Sequence, residues 1–191
     1  HDAVGVEVGD EIDFALSLRL MTDFDFEYWS DVEASEYATG VIRIYANDGD
    51  DYPGTGGTLA ASKVPSTLLY TSAAMRLESG LHSVVIDNLA IVVPDKVTWT
   101  FEVTTDDSLN AGVLFSADPE TGESFNDFWF KNAGTWELNV AGGVSDPSKN
   151  NFRAKVYAYN YGFLIGQTTA GSNGSFTFTP SSPFSSSNHA V

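Results

Sequence analysis

The 191-residue chain contains no cysteine. That excludes a disulfide framework, a thiolate nucleophile and any cysteine-based zinc site, so the apolar core must hold the fold. Basic residues are scarce: nine Lys and Arg stand against 26 Asp and Glu, for a net charge of -17. Such a field repels polyphosphate and anionic lipid, which makes nucleic acid and a membrane surface poor partners. It favours cations, and Ca²⁺ prefers carboxylate and carbonyl oxygens, although the favoured reading of the charge is solubility in salty surroundings. No apolar run approaches the length of a membrane helix, so no membrane insertion is expected. With three histidines and no G-x-S-x-G elbow, no nucleophilic triad can be assembled. Gly54-Thr-Gly56-Gly57 lacks the lysine and helix of a phosphate-cradling loop. The chain opens at His1 without an initiating methionine, and it is expected to be a mature, secreted chain whose signal peptide has been removed.

What is present is a two-residue rhythm. Hydrophobic residues make up 42% of the chain and aromatics 13%, enough for a substantial core. From Phe14 the even positions run Phe14, Leu16, Leu18, Leu20, Thr22, Phe24, Phe26, Tyr28, while the odd ones include Asp13, Arg19, Asp23, Asp25 and Glu27. This is the period of a strand with one apolar and one polar face. It recurs at Val97–Val103, Phe152–Ala158 and Phe176–Thr179, with further strands expected at Ala3–Val8, Val41–Ala46, Leu68–Leu77, Leu81–Asp87, Gly112–Ser116, Asp127–Lys131 and Thr135–Val140. Turn-rich segments separate them. Only Asp31–Tyr37 and Leu59–Pro65 suit a helical turn. The expected fold is all-β, an antiparallel β-sandwich of jelly-roll type. Residues 1–179 form one domain, and 180–191 a Ser/Pro-rich extended tail.

A string of short motifs carries a family resemblance: Val41-Ile-Arg-Ile-Tyr-Ala-Asn-Asp-Gly49, Gly80-Leu-His-Ser-Val-Val-Ile-Asp87, Pro94-Asp-Lys-Val-Thr-Trp-Thr-Phe-Glu102, Ala111-Gly-Val-Leu-Phe115, Asp127-Phe-Trp129 and Gly134-Thr-Trp-Glu-Leu138. Together they resemble secreted bacterial proteins of the PEP-CTERM type, over residues 40–140. The resemblance implies export, a β-sandwich body and association with the envelope or extracellular matrix. It supplies no catalytic residues, and the short C-terminal sorting segment of that family is absent from this sequence.

Four constellations could carry chemistry. Asp23, Asp25 and Glu27 share one strand face at about 6.6–7 Å intervals, within the spacing of about 5–9.5 Å that paired glycosidase carboxylates use. The neighbouring aromatics Phe24, Phe26 and Tyr28 lie on the other face, so a solvated strand is the favoured reading; Glu11 and Asp13 give a shorter version. His1 with His82 could brace copper, as in polysaccharide oxygenases, although nothing else of that pattern is present. The loop Asn47, Asp48, Asp50, Asp51 offers hard oxygen ligands for Ca²⁺, as do Asp118, Glu120 and Glu123, against ordinary turn chemistry. Among the aromatics, Trp99 and Trp136 are in phase with aliphatic neighbours and are expected in the core. Trp129 opposes Phe128 and Phe130 and is expected to stand exposed. Tyr157, Tyr159 and Tyr161 share a strand face and, with Trp129, form the candidate ligand-binding surface. Asn173-Gly-Ser175 fits a glycosylation sequon.

The expected sandwich, the signs of export and the lack of convergent chemistry favour a non-catalytic extracellular structural protein, a subunit of a surface layer, matrix or filament. Self-association would run through strand contacts, at Ala3–Val8 or Phe176–Thr179. The alternative is a carbohydrate-binding module, Ca²⁺-dependent, that takes extracellular polysaccharide. A glycosidase or copper oxygenase ranks last.

Overall fold

The computed structural model describes residues 2–14, 19–33, 37–52, 63–105, 109–116, 127–139, 151–160, 166–170, 176–180 and 189–190, with backbone alone for residues 116 and 160 and for the last three ranges. Among these residues there is no helix. The strands are β1 (Glu7–Asp13), β2 (Arg19–Ser30), β3 (Ala38–Ala46), β4 (Leu68–Thr71), β5 (Met75–Arg76), β6 (Gly80–Ile86), β7 (Ile91–Val93), β8 (Lys96–Thr105), β9 (Ala111–Val113), β10 (Phe115–Ser116), β11 (Phe128–Asn132), β12 (Thr135–Asn139), β13 (Asn151–Phe152), β14 (Ala154–Asn160), β15 (Gly166–Ala170), β16 (Phe176–Pro180) and β17 (His189–Ala190). A seven-stranded sheet runs β12-β11-β1-β8-β3-β4, with β5 also on β3. A six-stranded sheet runs β17-β14-β2-β6, with β7 and β9 also on β2. Every strand pairing is antiparallel, and the two large sheets pack face to face as a β-sandwich. β10 with β13, and β15 with β16, form small two-stranded sheets.

The core follows from the rhythm. Val97, Trp99, Phe101 and Val103 of β8 are buried, as are Ile42 and Ile44 of β3 and Phe24, Phe26 and Tyr28 of β2. Rings from the two sheets meet between them: Phe24 lies 5.2 Å from Trp99, and Phe26 lies 5.3 Å from Phe101. Each such side chain contributes about 1.5–3 kcal/mol through burial. Two glycines serve close approach. A Cβ on Gly9 would collide with the Trp99 backbone, and one on Gly40 with the Phe101 ring.

Three expectations need correction. The even-position face of β2 is not continuous. Tyr157 pairs with Asp23 and Ala158 with Met21, leaving Thr22 unopposed in a bulge. The phase flips there: Arg19 and Met21 are buried before it, and Phe24, Phe26 and Tyr28 after it. Leu20 thereby turns to the outer face beside Val92 and Tyr159.

The segment Ala3–Val8 is not an open edge. Ala3 accepts from Val103 N at 2.9 Å and donates to Ala111 O at 2.8 Å, and Val4 makes a parallel bridge to Val103. β1 itself lies between β8 and β11. Glu7, Val8 and Gly9 have both sides taken, so the segment Ala3–Val8 offers no open edge to a neighbour.

Trp136 is not a core residue. It sits half-buried on the terminal strand β12, opposite Lys131.

Of the two helical-turn segments, most of 59–65 lies outside the described residues, as do 34–36. So does most of the Ser/Pro-rich segment. The short β17 returns to pair with Tyr157 and Ala158 of β14.

Candidate functional site

The outer face of the seven-stranded sheet gathers Glu7, Glu11, Tyr45, Asn47, Thr98, Thr100, Trp129, Lys131 and Trp136. Glu7 Oε1 takes Lys131 Nζ at 2.9 Å, while Oε2 accepts from Tyr45 OH at 2.9 Å and from Thr100 Oγ1 at 3.0 Å. Arg43 bridges Glu102 at 2.6 Å and Glu7 at 3.5 Å. Glu11, 1% exposed, accepts from Asn47 Nδ2 at 2.7 Å and pairs with Lys96 at 3.4 Å. Burial pulls the Lys131 ammonium down, but Glu7 and Tyr45 outweigh it and hold the pKa above the usual lysine range. Lys96 is raised in the same way by Glu11 and Asp13. Burial and the neighbouring carboxylate push the Tyr45 phenol up. The Lys131 ammonium also lies 4.9 Å from both the Tyr45 and Trp136 ring centroids.

Trp129 belongs to this face and is 0% exposed, which corrects the expectation that it stands free. Tyr52, from the loop after β3, meets its ring edge-on at 5.2 Å, and Trp136 meets it at 6.0 Å. A distant loop residue therefore closes over a position that strand phase alone marks as outward. Trp129 cannot stack on a sugar in this arrangement.

The acidic loop divides its four residues among separate tasks. Asn47 is turned inward, donating to Glu11 and accepting from Thr98 Oγ1 at 2.9 Å. Asp48 clasps Thr67 through its backbone N at 2.9 Å and hydroxyl at 2.6 Å, which holds the carboxyl below its ordinary range. Asp50 accepts Val64 N through its backbone carbonyl, and Asp51 pairs with Lys63 at 3.8 Å. Among the described residues, no three His, Asp or Glu side chains gather as a metal cage. Asp118, Glu120, Glu123, His1, Tyr161 and Asn173 lie outside the described residues.

The outer face of the six-stranded sheet is different in kind. Asp23, Asp25 and Glu27 do share it, as their spacing requires. Glu27 pairs with Arg153 at 3.1 Å and accepts from Ser83 Oγ at 3.3 Å. Asp25 Oδ2 receives a long 3.5 Å bond from Tyr157 OH, while its Oδ1 is enclosed with no hydrogen-bond partner. Three aromatics stand with these carboxylates: Tyr157, Tyr159 and Trp29. Trp29 was missed by sequence reasoning, although it continues the odd-numbered face of Asp25 and Glu27.

Next to Trp29 lies the terminal strand β6. Leu81 pairs directly with Trp29, and Val85 with Asp25. Leu81 is 60% exposed, Val85 64% and Trp29 43%. Of the large exposed hydrophobics, Trp29, Leu81, Val85, Val92 and Tyr159 all fall on this one face. Among the described residues no strand pairs with the second side of β6. His82 faces inward, its ring stacked 5.3 Å from Tyr28 and its Nε2 2.9 Å from Ser79 O. No helix among the described residues is long and apolar enough to cross a membrane. No family model, curated protein or solved structure matches this chain.

Proposed function

We propose that this chain is a non-catalytic, secreted structural protein that self-associates through strand contacts, the contact being the open edge of its six-stranded sheet. The observation that carries this reading is β6. Its seven residues, Gly-Leu-His-Ser-Val-Val-Ile, include no Lys, Arg, Asp, Glu or Pro, and two of its outer side chains are exposed and apolar. Natural edge strands are normally blunted by charge, proline or a covering element. An edge without those devices, beside an exposed tryptophan, is suited to pairing with another strand. The net charge of -17 opposes association of like chains, so added salt should favour it. Export to an extracellular layer or matrix, in the manner of the PEP-CTERM-type proteins it resembles, belongs to the same reading. Sedimentation velocity over a hundredfold concentration range, at low and high salt, tests it. Species larger than the monomer should grow with protein and with salt; a monomer throughout overturns the proposal.

A second reading rests on a separate observation. Trp29, Tyr157 and Tyr159 share a face with Asp25 and Glu27, a pairing of flat rings and acceptors suited to pyranose sugars. A glycan array with calcium and with EDTA tests it, and silence on all neutral glycans removes it.

A further inference from the structure

We infer that β6 pairs antiparallel with the β6 of a second copy of this chain, across a two-fold axis at Ser83, to form a dimer whose six-stranded sheets are continuous. The inference rests on the self-association reading and names its partner and register. Antiparallel neighbours opposite one another share a face. An axis at Ser83 sets Leu81 opposite the partner's Val85 and Val85 opposite the partner's Leu81. Gly80 then meets the partner's Ile86, and His82 the partner's Val84. All seven residues are used, and each exposed apolar side chain finds another. An axis at His82 sets Leu81 against Ser83 and Val85 against Ser79; one at Leu81 or Val85 leaves the other apolar residue beyond the paired strand. The segment is thus complementary to itself, which is what an isologous contact requires.

Charge sets the salt dependence of this pairing. β6 is neutral, but Glu78 precedes it, exposed, and Asp87 follows it. In the inferred pairing Ser79 meets the partner's Asp87 and Glu78 the partner's Asn88, so Glu78 and the partner's Asp87 lie one position apart along the strands at each end. These like charges are the only acidic groups near the junction on β6 and its flanks. They make the dimer weaker at low salt.

Because the chain has no cysteine, a single introduced thiol reports the register. Opposite residues in an antiparallel pair lie about 4.5–5.5 Å apart at Cα, within the span a disulfide needs. The two Leu81 positions would be separated by about 13 Å along the strands. In the full chain under mild oxidation, Ser83→Cys should form a reducible dimer at least about tenfold faster than Leu81→Cys. Ser83→Lys should raise the dimer dissociation constant at least about tenfold, and Glu78→Gln should lower it at low salt. Both changes are on exposed positions, and near-ultraviolet circular dichroism confirms that each variant is folded. If the chain self-associates but Leu81→Cys cross-links as fast as Ser83→Cys, or Ser83→Lys leaves the dissociation constant unchanged, this pairing is wrong and the broader reading survives. A chain that stays monomeric at every concentration and salt level overturns both.

Discussion

On the outer face of the seven-stranded sheet, Glu7 is bonded to Lys131, Tyr45 and Thr100, and Trp129 is roofed by Tyr52. On the outer face of the six-stranded sheet, Asp25 has one long bond, and Trp29, Leu81 and Val85 look outward. Both faces are made of carboxylates, aromatics and a few cations. On the first the charged groups pair with one another and serve stability, and the Trp129 Nε1 is enclosed without a hydrogen-bond partner. The second is left unfinished, and unfinished surface is where partners act. A count of acidic or aromatic residues does not separate the two; what separates them is whether a second layer of side chains completes the first.

The sharpest way to break the comparison is to open the closed face. Glu7→Ala strands the Lys131 ammonium and the Tyr45 hydroxyl in a largely buried place, and should cost about 3 kcal/mol in urea unfolding, at the low end for a buried pair because Lys131 keeps some water contact. Alkali should attack the same face. Lys131 and Lys96 have folded pKa values above the ordinary lysine value, and Tyr45 above the ordinary tyrosine value. A raised value means stability that is complete below the unfolded pKa and disappears as pH climbs through the folded one. The melting temperature should therefore hold from pH 7 to 9 and fall beyond about pH 10, and Glu7→Ala should flatten that fall.

A smaller effect sharpens the picture. The β11–β12 hairpin, which delivers Trp129, Lys131 and Trp136, turns through Ala133 at φ 47° and Gly134 at φ 85°. Alanine is strained there, so Ala133→Gly should stabilise by about 1 kcal/mol in the same assay. Smallest of all, Leu81→Ser and Val85→Ser should change monomer unfolding by less than about 0.5 kcal/mol, since both side chains are mostly exposed. A loss above 2 kcal/mol from either would mean that the open face is covered after all.

The sandwich was legible where one rule operates alone. β8 alternates without interruption, and Trp99 lies where its phase puts it. β2 shows the limit: the bulge at Thr22 shifts the inward phase, and nothing in the residues around it marks an extra position. Most of β1 escaped because Gly9, Asp10, Glu11 and Asp13 are poor strand formers, yet the strand is central, its glycine admitting the Trp99 backbone and its acids taking cross-strand partners. The burial of Trp129 depends on Tyr52, 77 positions earlier in the chain, and no local pattern encodes such a meeting. Trp29 could have been found by carrying the odd-numbered face of β2 two residues further.

The placement of β1 has a consequence for how the chain comes to be folded. Its two neighbours in the sheet are supplied by residues near 100 and near 130. A ribosome must have released most of the domain before the earliest strand has anywhere to go. Until then a glycine-containing, highly acidic stretch waits unpaired, and its charge keeps the waiting chain dissolved. Such long-range closure makes for slow, late folding, and a polypeptide that folds late is one that a translocation channel can still thread.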